Sequence, residues 1–563
     1  SQGDYRIALN SRAIDSGTAT QSAFDLEGAT REIDIPGVGA DLPSAVVDMG
    51  AIEYSPEGNL PLTPTRTPSP TFTQTNTPTP TSTPTPGFRS WYVSSSLPIS
   101  GDGESWDSPF RTVGEAVVRS ASGDTIFISE GIYPERITLK AGVDLFGGYE
   151  SSSEGGGESL DRNPTIHQTV ITGMDEFGPV VTGASDCLLD GLHIVRGRAQ
   201  YGAGLFCKDV EMVIHDCLFY QNSVSQIDED GDSVGRETSG GGAIFCTNSD
   251  LRISESEFIA NQATALVQES YNVNRAIAIG GAILLDGTSM IRCARTFFRD
   301  NIALALAENG HFVNYSRAEG GAIRHEGKGV IQLDNSVFFG NAAVAGTYTL
   351  WSNPIVFGEE IILNHCTFFG NEWKNDYYLP TPPSGVRAAT ATISNSILWD
   401  ATYSLEAETV HLLASNVDGH PASENNLRVE PGFIDPENGD LRLRLDSPCL
   451  DSGVDSGLRL DLLSQARPID HPGVGVDGAE VGFDLGAYEV PLEGYPTWTP
   501  SPTGTPTLYP TPTLTLLYDV YPDGVVNAWD LMVLLTRVRE SKTEDLAADL
   551  FAFSRRWMTL LGD

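Results

Sequence analysis

The chain has 563 residues, too many for one compact core. Its 75 acidic side chains against 34 basic ones give a net charge of −41, which argues against nucleic acid or an anionic membrane as partner. No apolar run approaches the roughly 18 residues of a membrane-spanning helix. The acidic excess reads as a solvated surface that keeps a long extracellular chain soluble, with cation binding as the sharper alternative. The seven cysteines are odd in number and lack metal-ligand spacing. Most sit in apolar strand contexts, which suits buried free thiols.

Residues 1–54 carry Ala13-Ile14-Asp15-Ser16-Gly17, Asp25, Arg31 and Asp48-Met49-Gly50-Ala51-Ile52-Glu53-Tyr54. Residues 440–489 repeat that order with Cys449-Leu450-Asp451-Ser452-Gly453, Asp461, Arg467 and Asp484-Leu485-Gly486-Ala487-Tyr488-Glu489. One module occurs twice. The second copy follows a repeat domain, so the first is expected to be the C-terminal remnant of another such domain. Residues 55–87 and 491–515 are Thr/Pro tracts. Proline fixes φ and removes donors, so these are semi-stiff spacers or O-glycosylated stalks.

A new domain is expected over 88–490. Trp91-Tyr92-Val93 reads as a strand, and 112–121 has helix spacing with Val113, Ala116 and Val117 on one face. Short alternating runs at 126–128, 137–139 and 143–149, broken by turns, signal all-β structure. A helix before the first coil would cover the open end of the sheets.

One phrase is then written three times. Gly241-Gly242-Ala243-Ile244 leads to Phe258-x-x-Asn261, Gly280-Gly281-Ala282-Ile283 to Phe298-x-x-Asn301, and Gly320-Gly321-Ala322-Ile323 to Phe338-x-x-Asn341. Weaker copies end at Asn222 and Asn371, and the asparagines are spaced 39, 40, 40 and 30 residues apart. A fixed period of this size marks a repeat architecture. The strands predict a right-handed parallel β-helix. Phenylalanine points inward and stacks on its copy, and asparagine at the turn bonds its own backbone and its copy one rung away. The Gly-Gly pair supplies positive φ or close backbone approach.

Each unit leaves an 18-residue remainder: 223–240, 262–279 and 302–319. These lack a second Phe-x-x-Asn and are read as stacked side loops, with two coils per repeat as the rival count. The first loop holds Asp228, Glu229, Asp230 and Asp232, spaced to hold calcium through alternating carboxylates or simply solvated. Tyr271, His311, Phe312 and Tyr315 lie on the loops. They form a face for carbohydrate or protein, or else cover the apolar sheet beneath. His215, His325 and His365 read as outward-facing surface residues. No pair of acids recurs at strand positions on adjacent coils, so no catalytic residues are assigned.

The Gly-Gly-Ala-Ile and Phe-x-x-Asn pair resembles the repeat of polymorphic outer-membrane proteins, which implies a surface β-helix linked with adhesion. The lead-in at 91–149 and the module at 440–489 resemble secreted bacterial β-helix proteins with a choice-of-anchor C-terminal region. Asp519-Val520-Tyr521-Pro522-Asp523-Gly524-Val525-Val526-Asn527-Ala528-Trp529-Asp530 is similar to the calcium loop of a dockerin. That resemblance implies Ca2+ held by Asp519, Asp523, Asn527, Asp530 and the Val525 carbonyl in a small helical unit over 516–563. Tyr521 stands where the family has Asp or Asn, and the second loop lacks its Asp-Gly pair. The expected function is a non-catalytic extracellular or cell-surface scaffold that binds carbohydrate or a cell-surface protein, with a docking partner for 516–563. The alternative is a lyase or glycoside hydrolase acting on acidic polysaccharide.

Overall fold

The computed structural model describes residues 88–492, apart from 97, 152–161, 174–176, 229–233, 268–272, 308–312, 347–353, 376–384, 400–403, 424 and 475–481, together with two short strands near the start of the chain. The chain divides into units of residues 1–85 and 86–563. In the first unit Gly17–Thr18 pairs antiparallel with Val46–Val47, Gly17 opposite Val47. In the second, Gly453 N–H donates to the Phe483 carbonyl at 2.7 Å. Both members of that pair lie 436 residues after their counterparts in the first unit. The equivalent positions are thus backbone-paired in both units. The Thr/Pro tracts and residues 516–563 lie outside the described residues.

The domain opens with a cap. Thr112 accepts from the Glu115 N–H while Glu115 reaches back to the Thr112 N–H, a capping box that starts the helix Val113–Arg119. Its buried face is Val113, Ala116 and Val117, as the spacing predicts. Glu135 accepts from the Val113 and Gly114 N–H groups at 2.7 Å each, which ties the helix to the strands behind it.

The body is a right-handed parallel β-helix. A representative coil has strands Ile244–Thr247, Asp250–Ser254 and Glu257–Ile259. Each pairs in parallel with its copy one repeat later: Ile244 with Ile283, Leu251 with Ile291 and Phe258 with Phe298. The corners recur in register because the same backbone bend recurs. Asp216, Glu255, Arg295, Asn335, His365 and Asn395 all hold φ of 45–51°, a left-handed conformation that costs a non-glycine residue about 1 kcal/mol. At the third corner the two glycines divide the labour. Gly241, Gly280 and Gly320 supply φ of 68°, 66° and 65°. Gly242 and Gly281 supply close approach: a Cβ on Gly242 would lie 2.2 Å from the Gly281 carbonyl oxygen.

The two ladders run through the core. Phe219, Phe258, Phe298, Phe338 and Phe368 stack with centroids 4.3–4.9 Å apart and planes within 7° of parallel. Each asparagine Nδ2 donates to the Oδ1 of its copy in the next coil, at 2.8–3.0 Å from Asn222 to Asn371. The expected bond to nearby backbone is kept at Asn341 and Asn371, 3.4 Å from the Phe339 and Phe369 carbonyls, and the Nδ2 groups also donate to the preceding coil. Asn261 Nδ2 donates to the Phe219 carbonyl at 2.9 Å and Asn301 Nδ2 to that of Phe258 at 2.8 Å. All seven cysteines are buried free thiols. Burial raises those of Cys217 and Cys366 to about 12, so they pack as small apolar groups.

The three 18-residue segments are not loops. Outgoing strands Ser223–Asp228, Gln262–Val267 and Ile302–Ala307 belong to a six-stranded parallel sheet. Return strands Val234–Gly240, Val273–Ile279 and Val313–Glu319 form a three-stranded parallel sheet. The two sheets pack face to face as a fin on the body. Between them lie Ala265, Val267, Ala276, Ala278, Ala303, Ala305, Ala307, Ala318, Ala343 and Ala345, each 0–2 % exposed. Methyl side chains let two sheets close over a thin core. Ala305→Leu is therefore expected to cost about 1–3 kcal/mol through overpacking, read as a lower midpoint in urea unfolding. Ala121→Leu, at an exposed position, should stay within about 0.5 kcal/mol.

The closing module covers a flank of the body. Phe433, Leu441, Leu443, Cys449, Leu450, Leu485 and Val490 cluster with Val337 and Ile397, and with Phe297, Phe339, Phe369 and Trp399. Those residues of the body point outward from the strands that carry the stacked phenylalanines and, one coil further, Leu398.

Candidate functional site

The fin meets the body at an inside angle, and both walls carry side chains in register. On the body, the residue after each Gly-Gly-Ala-Ile points outward. Pairing aligns Phe206, Phe245, Leu284, Arg324, Phe357, Arg387 and Glu406 in one column across seven coils. On the fin, Ile277, Ile279, Tyr315, Arg317 and Glu319 face the same angle, with Ile277 opposite Arg317 and Ile279 opposite Glu319 in the return sheet.

The column changes character along its length. At the N-terminal end Ile277, Ile279 and Leu284 pack with Tyr201, Phe245 and Tyr315. The Phe245 ring lies 5.1 Å from that of Tyr201 and 5.5 Å from that of Phe206. Further on the column becomes charged. Arg324 and Arg387 hold their guanidinium carbons 3.8 and 5.3 Å from the Phe357 ring centroid, and each can make a cation–π contact. Glu319, 2 % exposed, accepts from Arg317 at 2.5 Å and lies 3.1 Å from Arg324 Nε. Arg387 Nε lies 3.5 Å from Glu406. Burial lowers the Arg324 pKa against the pull of Glu319. For Arg317 burial acts the same way, but the hydrogen bond to Glu319 outweighs it and the pKa rises.

A cavity of about 480 Å³ opens at the charged end, lined by Arg324, His325, Phe357, Glu359, Arg387 and Glu408 among others. Between its outward-facing walls run the inward-facing strand positions. Leu285 pairs with His325, and the register continues through Gly358, Ala388 and Ala407.

Of the residues singled out from the sequence, Tyr315 lies on the fin wall of this angle. Asp228 ends an outgoing strand, but its side chain and Glu229, Asp230, Asp232, Tyr271, His311 and Phe312 lie outside the described residues, as do Asp519, Asp523, Val525, Asn527 and Asp530. Two histidine readings are corrected. His325 is 1 % exposed because it takes the inward place of Leu285. His365 is buried because the closing module covers its corner, with Asp484 and Ser456 on its ring nitrogens. His215 is half-buried, its Nδ1 2.9 Å from Ser254 Oγ. Sequence reading missed the column itself. Its signal is one position in the repeat, Phe245, Leu284 and Arg324, that varies in chemistry while its neighbours do not.

No protein-family model matches the chain, and no curated protein matches it. Among solved structures it is similar to pectate lyase Pel9A, at 14 % identity over 71 % of this chain and 96 % of that one, TM-score 0.33. It is similar to a rhamnogalacturonan lyase at 14 % identity over 64 % and 93 %, TM-score 0.29. A structure of XylC in complex with xylose has 11 % identity over 70 % and 99 %, TM-score 0.28. The fold assignment rests on the strand pairing above.

Proposed function

We propose that the chain is an extracellular or surface-displayed β-helix scaffold that binds a carbohydrate chain along the inside angle between fin and body. The observation that carries the reading is the outward column from Phe206 to Glu406, covered by the fin at Leu284 and Arg324 and open toward both ends. Its rungs repeat at the strand spacing of about 4.8 Å. Aromatic rings offer apolar faces to sugar rings, and guanidinium groups beside carboxylates offer paired donors and acceptors to hydroxyls. Apolar wall, convergent polar groups and concavity are what ligand sites share. The dockerin resemblance of 516–563 supports attachment to a partner through that segment, with calcium at Asp519, Asp523, Val525, Asn527 and Asp530.

The test is affinity electrophoresis of the full chain in gels containing single polysaccharides, neutral and charged. Retardation by at least one is expected. Phe245→Ala and Phe357→Ala should each weaken binding about fivefold, the effect of losing roughly 1 kcal/mol of ring stacking. Unchanged retardation in both variants would sink the angle as the site. Release of reducing or unsaturated sugar would replace the binding scaffold with the lyase or hydrolase.

A further inference from the structure

The two ends of the body are finished differently. At its start the helix Val113–Arg119 buries Val113, Ala116 and Val117 in the core. At its end the last long strand is Leu405–Leu413, paired in parallel with Val386–Ser394. Among the described residues nothing pairs with its other edge. On the adjoining wall the chain itself adds one more rung beyond the strand Asn416–Val417. Leu427 N–H donates to the Ser415 carbonyl at 2.8 Å and Val417 N–H to the Leu427 carbonyl at 3.3 Å. The rung supplied on that wall is missing beside Leu405–Leu413.

The inward positions record the gap. Ala391 and Ile393 are 0 % exposed, as are Ile361 and Leu363 one coil earlier. Val410 and Leu412, in register with them, are only half-buried, and so is Ala407. Apolar positions that the earlier coils cover are left in water here, and burying them favours a strand that fills the gap.

The outward positions decide which strand. A free edge invites pairing with another copy. Here Glu406 and Glu408 point outward and are exposed, and each chain carries a net charge of −41. Two copies edge to edge would set like charges together, so the same carboxylates that repel a copy select a basic strand. Arg387 lies one rung behind Glu406, its Nε 3.5 Å from the carboxylate. A cation one rung ahead would complete a column of alternating sign, and opposite charges on adjacent strands stabilise their pairing.

We infer that the edge of Leu405–Leu413 docks an extended segment of a partner polypeptide as the next rung. Apolar residues of the segment lie over Leu405, Ala407, Val410 and Leu412, and basic residues over Glu406 and Glu408. Backbone hydrogen bonds give the affinity and the alternating side chains the selectivity. Binding here is independent of the carbohydrate reading of the inside angle.

The experiment measures fluorescence anisotropy of labelled peptides with the full chain at about 0.1 M salt, where charges more than about 10 Å apart are screened. The probe reads Val-Lys-Val-Lys-Thr-Val-Thr-Val. One control has the same residues with the alternation scrambled, and the other has Glu in place of Lys. The alternating basic peptide should bind at least about tenfold more tightly than either, about 1.4 kcal/mol. Glu408→Lys, a change at an exposed position, should weaken it about fivefold. Hydrogen exchange over 405–413 should slow when the peptide is bound. Failure of the alternating peptide to bind, equal binding of the scrambled one, an unaffected Glu408→Lys variant or unchanged exchange over 405–413 overturns the inference. Slow exchange there before peptide is added overturns it too: if dilution speeds it, a second copy holds the edge, and if not, the chain's own residues do.

Discussion

Asn301→Ala is expected to cost about 3–5 kcal/mol, more than its own lost bonds would suggest. Asn301 Nδ2 donates to the Phe258 carbonyl and to Asn341 Oδ1, both at 2.8 Å. Its Oδ1 accepts from Asn261 N and Nδ2 at 3.0 Å each. Truncation strands the Asn261 backbone N–H in a fully buried corner and leaves Asn261 Nδ2 with the Phe219 carbonyl alone. Each stranded group costs about 1–3 kcal/mol. Asn301→Asp keeps the shape and the acceptor but sets carboxylate oxygen against the Phe258 carbonyl and Asn341 Oδ1. It should destabilise more than alanine at neutral pH and recover on acidification, when the carboxyl can donate once. Urea midpoints at about pH 7 and pH 5 check both. An aspartate variant as stable as wild type would show that the ladder's direction of donation carries no energy.

The ladder was legible because it needs particular residues. Only a planar group with both donor and acceptor can bond its copies above and below, so Asn222, Asn261, Asn301, Asn341 and Asn371 recur. Gly242 and Gly281 recur because the coils leave no room for a Cβ. The fin was less legible. Its core needs only small size, which alanine, serine and glycine all meet, and Ala263-x-Ala265-x-Val267 carries little hydrophobic signal even though it alternates as a strand. Reading those segments by the motif they lack made them loops, whereas their period of two marks sheet. The inside angle was hidden for a different reason. Phe245, Leu284 and Arg324 are unlike one another, and only strand register shows that they form one surface. The acid-rich module was read as a recurring signature and proves to be interior. Asp451, Asp461, Asp484 and Glu489 are each 0 % exposed.

Asp461, Asp484 and Glu489 share the charge of one buried guanidinium, and Arg467→Met is expected to be among the most damaging single changes in the domain. Arg467 Nη1 lies 3.2 Å from Glu489 Oε2, Nη2 donates to the Gly486 carbonyl at 2.8 Å, and both side chains are fully buried. The carboxylates are held from the other side by backbone N–H groups. Asp484 accepts from Asp451 and Val490, Glu489 from Ile469, and Asp461 from Leu463, Gln465 and Glu489. Removing the cation from a buried pair costs about 3–5 kcal/mol. The pH dependence follows from the carboxyls. Burial, reinforced by Asp451, pushes Asp484 up to about 7; burial and then Asp484 push Glu489 up to about 8. A carboxyl whose folded pKa lies above its unfolded value binds more protons when folded, so its contribution is lost as pH rises through the folded pKa. Buried His365, with its pKa lowered by burial and Arg467, acts in the opposite sense only below its unfolded value of about 6.5. Above about 8.5 the buried thiols add their own loss. Between about pH 6.5 and 8 the carboxyls alone set the slope, and stability should fall as pH rises. Without Arg467 they hold their protons more tightly still. The penalty of Arg467→Met should therefore be smaller at about pH 6.5 than at about pH 8, measured as the shift in unfolding midpoint against wild type. A penalty independent of pH across that window would mean that Arg467 serves the module by its hydrogen bonds to Gly486 and Asp484 and not by its charge.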